Sequence, residues 1–160
     1  RLLVSDMNDL GIFSSGQFQC VLCLGNTLVH LNSLQVLDNF FRKVAGILAD
    51  GGLFVFQILN YEKILARKTV DLPIIDNERI TFERHYDHEI HSPLLAFHTR
   101  LTLKATSEII DNSIDLYPLQ RGELMNMSSK QLFRSVRFLG GFDGRAFGAE
   151  DELLIGIWEK

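Results

Sequence analysis

Apolar residues in this chain follow distinct rhythms, and each rhythm predicts a kind of element. Phe18–Leu24 and Leu53–Leu59 are apolar at nearly every position, the pattern of strands covered on both faces in a parallel sheet. Between them, Leu34, Leu37, Phe40, Phe41, Val44, Ile47 and Leu48 recur three or four residues apart. That spacing gives a helix from about Ser33 to Ala49 with one apolar face. Asp50-Gly51-Gly52 stops it with glycines that tolerate positive φ. The unit is strand, loop, helix, turn and strand, for which a right-handed parallel crossover is the rule. A shorter run, Leu2-Leu3-Val4, predicts a preceding strand that ends at Ser5-Asp6, with a polar loop from Asn8 to Gly16.

From Ile80 onward the rhythm changes to alternation. Ile80, Phe82, Arg84, Tyr86, His88 and Ile90 share one face, while Thr81, Glu83, His85, Asp87 and Glu89 form a polar one. Leu95, Phe97, Thr99, Leu101 and Leu103 alternate likewise, and Ile110, Ile114 and Leu116 mark a third run. Antiparallel strands with one wet face follow. A short helix is expected at Tyr61–Ala66, and Ser128 or Ser129 can cap another that continues to about Leu139, where Gly140-Gly141 ends it. Phe142–Phe147 and Leu153–Trp158 then read as two closing strands. The chain divides into a parallel core at 1–60, an inserted helix, loop and antiparallel lid at 61–120, and a returning helix with closing strands at 121–160.

Composition narrows the partners. At 160 residues and 46% apolar content, the chain has the size and core of one α/β domain. Its apolar runs are far shorter than the roughly 20 residues of a membrane span. A formal charge of −4 gives no basic field for phosphates, which disfavours nucleic acid. Cys20 and Cys23 form a C-V-L-C spacing, but residues three apart on a strand point to opposite faces. Buried, reduced packing cysteines are expected in place of a metal or redox pair. His85, His88, His91 and His98 are separated by the same alternation, so no metal site is read. No signal-peptide pattern stands at the start, making the cytoplasm the default compartment, and the non-methionine Arg1 hints at sequence before it.

Open parallel sheets bind ligands at the carboxyl ends of their strands, and polar groups follow three such ends here: Asp6-Met7, Leu24-Gly25-Asn26 and Asn60-Tyr61. In order, S-D-M-N-D-L, F-Q-C-V-L-C-L-G-N-T-L-V-H-L, L-A-D-G-G-L-F-V-F-Q-I-L-N-Y-E-K-I-L and F-L-G-G-F resemble class I S-adenosylmethionine-dependent methyltransferases from their third strand to their seventh. The L-G-N-T-L-V-H-L and N-Y-E-K-I-L elements, with the lid after the fifth strand, resemble the glycine and sarcosine N-methyltransferase branch. The resemblance implies a partial Rossmann-like sheet, strands three to seven with the last antiparallel, in the family order 3-2-1-4-5-7-6. It further implies S-adenosylmethionine as cofactor and a small-molecule acceptor methylated on nitrogen or oxygen. The family's G-x-G cofactor loop and its acidic ribose ligand would precede Arg1. The 160 residues alone are then expected to bind cofactor negligibly, to be inactive, and to leave Phe18–Leu24 as an apolar edge. A non-catalytic binding or dimerisation protein of the same fold is the alternative, its homodimer formed through the lid or that edge.

Site residues follow from the same resemblance. Asp6 would accept from the adenine amino group and the Met7 amide would donate to the ring, although Asp6 also reads as a turn cap. The Leu24 carbonyl would meet the methionyl ammonium, Gly25 would allow close approach, and His30 would stand near the methionyl end or else cap and pack. Asn26 would face the acceptor, and Asn60 and Tyr61 would line the same mouth or cap the next helix. In the glycine branch an arginine precedes the Asn-Tyr pair. Here that place is Leu59, so the carboxylate clamp is missing and glycine is a doubtful acceptor. Arg84, on the apolar face of the first lid strand, is the candidate replacement; its alternative is an ordinary ion pair. No general base is identifiable.

Overall fold

The expected strand–helix–strand unit forms in the computed structural model, which describes residues 2–67, 69–88, 92–128 and 132–160. In chain order the elements are β1 (Phe18–Cys23), α1 (Leu34–Ile47), β2 (Leu48–Leu59), α2 (Tyr61–Leu65), β3 (Thr69–Asp71), β4 (Ile75–Asp76), β5 (Ile80–Asp87), β6 (Leu95–Leu103), β7 (Glu108–Leu116), α3 (Arg121–Ser128), β8 (Ser135–Leu139) and β9 (Leu153–Glu159). The Ser33 side chain caps α1 by accepting from Val36 N at 3.3 Å, a contribution of about 1 kcal/mol. Burial contributes more. Leu37, Phe40, Phe41, Val44 and Ile47 are all buried on one face, and each such side chain adds about 1.5–3 kcal/mol relative to exposure.

The core is a four-stranded sheet in the order β1-β2-β9-β8. β1 and β2 run parallel, and β9 is antiparallel to both β2 and β8. This is the 4-5-7-6 portion of the order that the resemblance implies. Beneath it Phe41, Phe54, Phe56, Phe133 and Trp158 pack edge to face or tilted, with Phe41 and Trp158 ring centroids 4.7 Å apart. A second sheet, β3-β5-β6-β7 with β4 beside β5, forms the lid. Its Tyr86, Leu95 and Leu116 join the same buried cluster. Tyr117 N donates to Val29 O at 2.8 Å, tying the lid's exit to the core.

Several expectations are corrected. Ser135–Leu139 is a strand rather than the end of a helix, because Val136, Phe138 and their neighbours pair along β9. The helix lies earlier, at α3, and Ser129, like Ile90 and His91, is outside the described residues. Phe142–Phe147 forms no strand. Only an isolated Leu139–Ala146 bridge occurs there, and Phe142 is exposed. Arg145 organises that loop instead, donating to Asp143, Asp151 and the Gly140 carbonyl. α1 ends at Ile47, two residues early, and β2 begins at once, with a register shift opposite Phe18–Cys20. β1 is not covered on both faces: it is the edge strand, with Cys20, Leu22 and Leu24 exposed. Cys20 is therefore not a packing cysteine. Cys23 is, and burial pushes its thiol up to about 11. Residues 2–4 are largely exposed and carry no strand pairing among the described residues.

Candidate functional site

Parallel β1 and β2 bring two loops side by side at their carboxyl ends, and side-chain amides fasten those loops together. Gly25 and Asn26 are consecutive left-handed residues, φ +74° and +64°, a conformation that glycine adopts freely and asparagine tolerates. Gly25 N donates to Gln57 Oε1 at 2.8 Å, and Asn26 N to Gln57 O at 3.1 Å. In return Leu59 N donates to Asn26 Oδ1 at 3.1 Å, and Asn26 Nδ2 donates to the Tyr61 hydroxyl at 2.8 Å. Asn26 is thus held in one orientation from both sides. Tyr61 is buried, and burial holds its phenol far above the ordinary tyrosine range; Tyr86, its ring 6.3 Å away, is raised by burial as well. Both remain neutral and serve as fixed polar walls.

Above these loops the inner face of the lid bounds a cleft-like cavity of about 470 Å³ that stays open to solvent on one side. Gly25, Asn26, His30, Gln57 and Leu59 line it from the core, and Arg84 and Tyr86 line it from the lid. The structure therefore brings together Gly25, Asn26, His30 and Arg84, which lie on two stretches of sequence more than fifty residues apart. Tyr61 stands behind Asn26. Asn60 turns away: it is buried, its amide donates to Ala149 O and Asp151 O, both at 2.9 Å, and its oxygen caps α2 through Lys63 N. Its geometry is that of a structural tie, with both amide hydrogens engaged.

Asp6 and Met7 lie outside this cavity, at the end of the extended N-terminal segment. The exposed Asp6 carboxylate accepts from Asn8 N at 2.8 Å through Oδ1 alone. The Leu24 carbonyl accepts from the Thr27 hydroxyl at 2.7 Å and, as a carbonyl, keeps a second lone pair. Gln57 was missed in the sequence, although a lone amide inside L-F-V-F-Q-I-L is a readable signal. On the opposite, outer face of the lid His85 and His98 stack at 4.7 Å as a cross-strand pair. No group of three metal-ligating side chains converges among the described residues.

No protein-family model and no curated protein matches the chain. Solved structures do. A S-adenosylmethionine-dependent methyltransferase from Clostridium acetobutylicum ATCC 824 superposes with a TM-score of 0.80 at 15% identity, over 99% of this chain and 64% of that one. The CcbJ methyltransferase from Streptomyces caelestis gives 0.71 at 19%, over 89% and 60%. The sugar N-methyltransferase KedS8 from Streptoalloteichus sp ATCC 53650 gives 0.64 at 17%, over 98% and 61%. The chain has the mixed α/β, Rossmann-like fold of S-adenosylmethionine-dependent methyltransferases, and it spans about three-fifths of the length of these structures.

Proposed function

We propose that this chain provides the acceptor side, and part of the cofactor side, of an active site that transfers a methyl group from S-adenosylmethionine to a small molecule. The observation that carries this reading is the lid-covered cavity at the carboxyl ends of β1 and β2, floored by the immobilised Gly25-Asn26 turn. The residues fit the cofactor. Asp6 Oδ2 has no partner among the described residues, so the carboxylate can accept from an adenine amino group beside the Met7 amide. A side chain built on Gly25 would meet nothing within 4 Å, leaving open room for a ligand to approach the backbone. When bound, the cofactor supplies a methyl carbon already activated by a sulfonium.

The protein's task is then alignment and exclusion of water. Asn26, pinned by Leu59 N and the Tyr61 hydroxyl, presents its remaining amide hydrogen in a fixed direction. Leu59, Phe97, Ile114 and Leu116 keep the acceptor's surroundings apolar. Among the described residues no aspartate, glutamate or lysine lines the cavity, and the His30 imidazole stands at its edge. Acceptors that arrive with an unprotonated amine or an activated hydroxyl suit such a site. Three of the superposed structures carry the words methyltransferase or N-methyltransferase in their names, which supports the reaction class.

Calorimetry of the complete protein with S-adenosylmethionine tests the proposal. Asp6→Ala is expected to weaken binding tenfold or more, since a hydrogen bond to a charged group contributes about 1.5–3 kcal/mol. Unchanged affinity in the folded variant would remove Asp6 from the adenine site.

A further inference from the structure

Among the described residues Arg84 is the one permanently charged side chain lining the cavity, and no carboxylate lines it. Its guanidinium makes a single hydrogen bond to the described protein, from Nη2 to the Pro73 carbonyl at 2.9 Å. Nε is covered and has no partner, and among the described residues no acidic group lies within ion-pair distance. The Phe82 ring, its centroid 5.4 Å from the guanidinium carbon, fixes one side. A guanidinium whose covered Nε has no partner, on a side chain that lines the cavity, is left short of hydrogen bonds that an anion could complete. The ordinary reading of a half-buried arginine, an internal ion pair, is therefore not what the described residues display.

The surroundings define the anion. One guanidinium matches a monoanion, whereas a phosphate dianion would bring a second charge with no second permanent cation among the described lining residues to meet it. Leu72, Pro73, Phe97, Ile114 and Leu116 make the adjoining walls apolar. A cavity of about 470 Å³ suits a small molecule.

We infer that the methyl acceptor carries a carboxylate on an apolar body, and that Arg84 clasps this carboxylate from the lid while the nucleophilic end lies toward Asn26. This inference rests on the methyltransferase reading for the word acceptor; the anion site itself does not. It also reverses the geometry implied by the resemblance, in which the clamp would rise from the position that Leu59 occupies. An acceptor held from the lid must be long enough to reach from Arg84 to the Asn26 turn, which glycine is not expected to do.

The test uses benzoate, its uncharged analogue benzamide and phenyl phosphate as probes, followed by NMR on the complete protein. Benzoate is expected to shift resonances of the cavity residues saturably and to bind at least tenfold more tightly than benzamide. Arg84→Gln should abolish that preference, while Arg84→Lys, which keeps the charge and loses the planar fork, should retain part of it. Equal binding of benzoate and benzamide, benzoate selectivity that survives Arg84→Gln in a folded variant, or tighter binding of phenyl phosphate would each overturn the inference, as would the absence of any cavity shift. Titrating S-adenosylmethionine on the same samples separates the two readings: selectivity for benzoate without cofactor binding would sink the methyltransferase proposal and leave the carboxylate site standing.

Discussion

Gln57 is the residue on which the site's geometry depends most directly. Its side-chain oxygen is the acceptor for Gly25 N, and its own carbonyl accepts from Asn26 N. Removing the side-chain acceptor leaves a backbone donor in a left-handed turn with nothing in reach. Gln57→Leu should therefore cost about 1–3 kcal/mol, seen as a lower urea midpoint. Gln57→Glu, which retains an acceptor oxygen, should recover most of it at neutral pH. A leucine variant as stable as the parent would mean that the turn holds itself. The two cysteines show how the same strand separates chemistry by face. Cys20 is exposed, while Cys23 is buried with its thiol raised to about 11, so the buried sulfur is poorly ionised near neutral pH.

At the scale of elements, the β9 strand is built around a glycine. Gly156 faces Phe56 on one side and Phe138 on the other, and a Cβ there would collide with the Phe56 ring. Gly156→Ala should destabilise the fold by about 1–3 kcal/mol through overpacking. Gly122, on the exposed side of α3 with nothing near its would-be Cβ, should respond in the opposite direction. Alanine there is expected to stabilise by about 0.4–1 kcal/mol by restricting the unfolded chain. Chemical denaturation of the pair checks both signs, and a stabilised Gly156→Ala would show that the aromatic cluster has slack. The elements that could be read from sequence were those with one consistent period: α1, β2, β9 and the three long lid strands. β8 could not. Leu132, Phe133, Val136 and Leu139 fit a helical face, and S-V-R-F-L also alternates; pairing with β9, a contact remote in sequence, decides between them. For the site, the Gly25-Asn26 turn, His30 and Arg84 were legible, whereas the outward turn of Asn60 depends on the distant carbonyls of Ala149 and Asp151.

For the whole molecule, the sheet order and the three-fifths coverage of the superposed structures bear on what these residues do by themselves. No G-x-G loop occurs anywhere in the 160 residues, so the contacts proposed for the cofactor reach its adenine and part of its amino-acid arm but not its centre. The 160-residue chain is expected to bind S-adenosylmethionine far more weakly than the longer methyltransferases it superposes on, and parallel calorimetric titrations check this. Comparable affinities would mean a site built from other groups. The position of β9 has a kinetic consequence. It is a central strand, yet the whole lid intervenes in sequence between it and its partner β2, and β8 has no partner until β9 arrives. The lid strands pair with near neighbours in the chain and can zip early, whereas the core sheet closes only after a long loop has been paid for in entropy. Refolding should therefore pass its slowest step at the docking of β9, with Trp158 entering the aromatic cluster as the natural fluorescent reporter of that event.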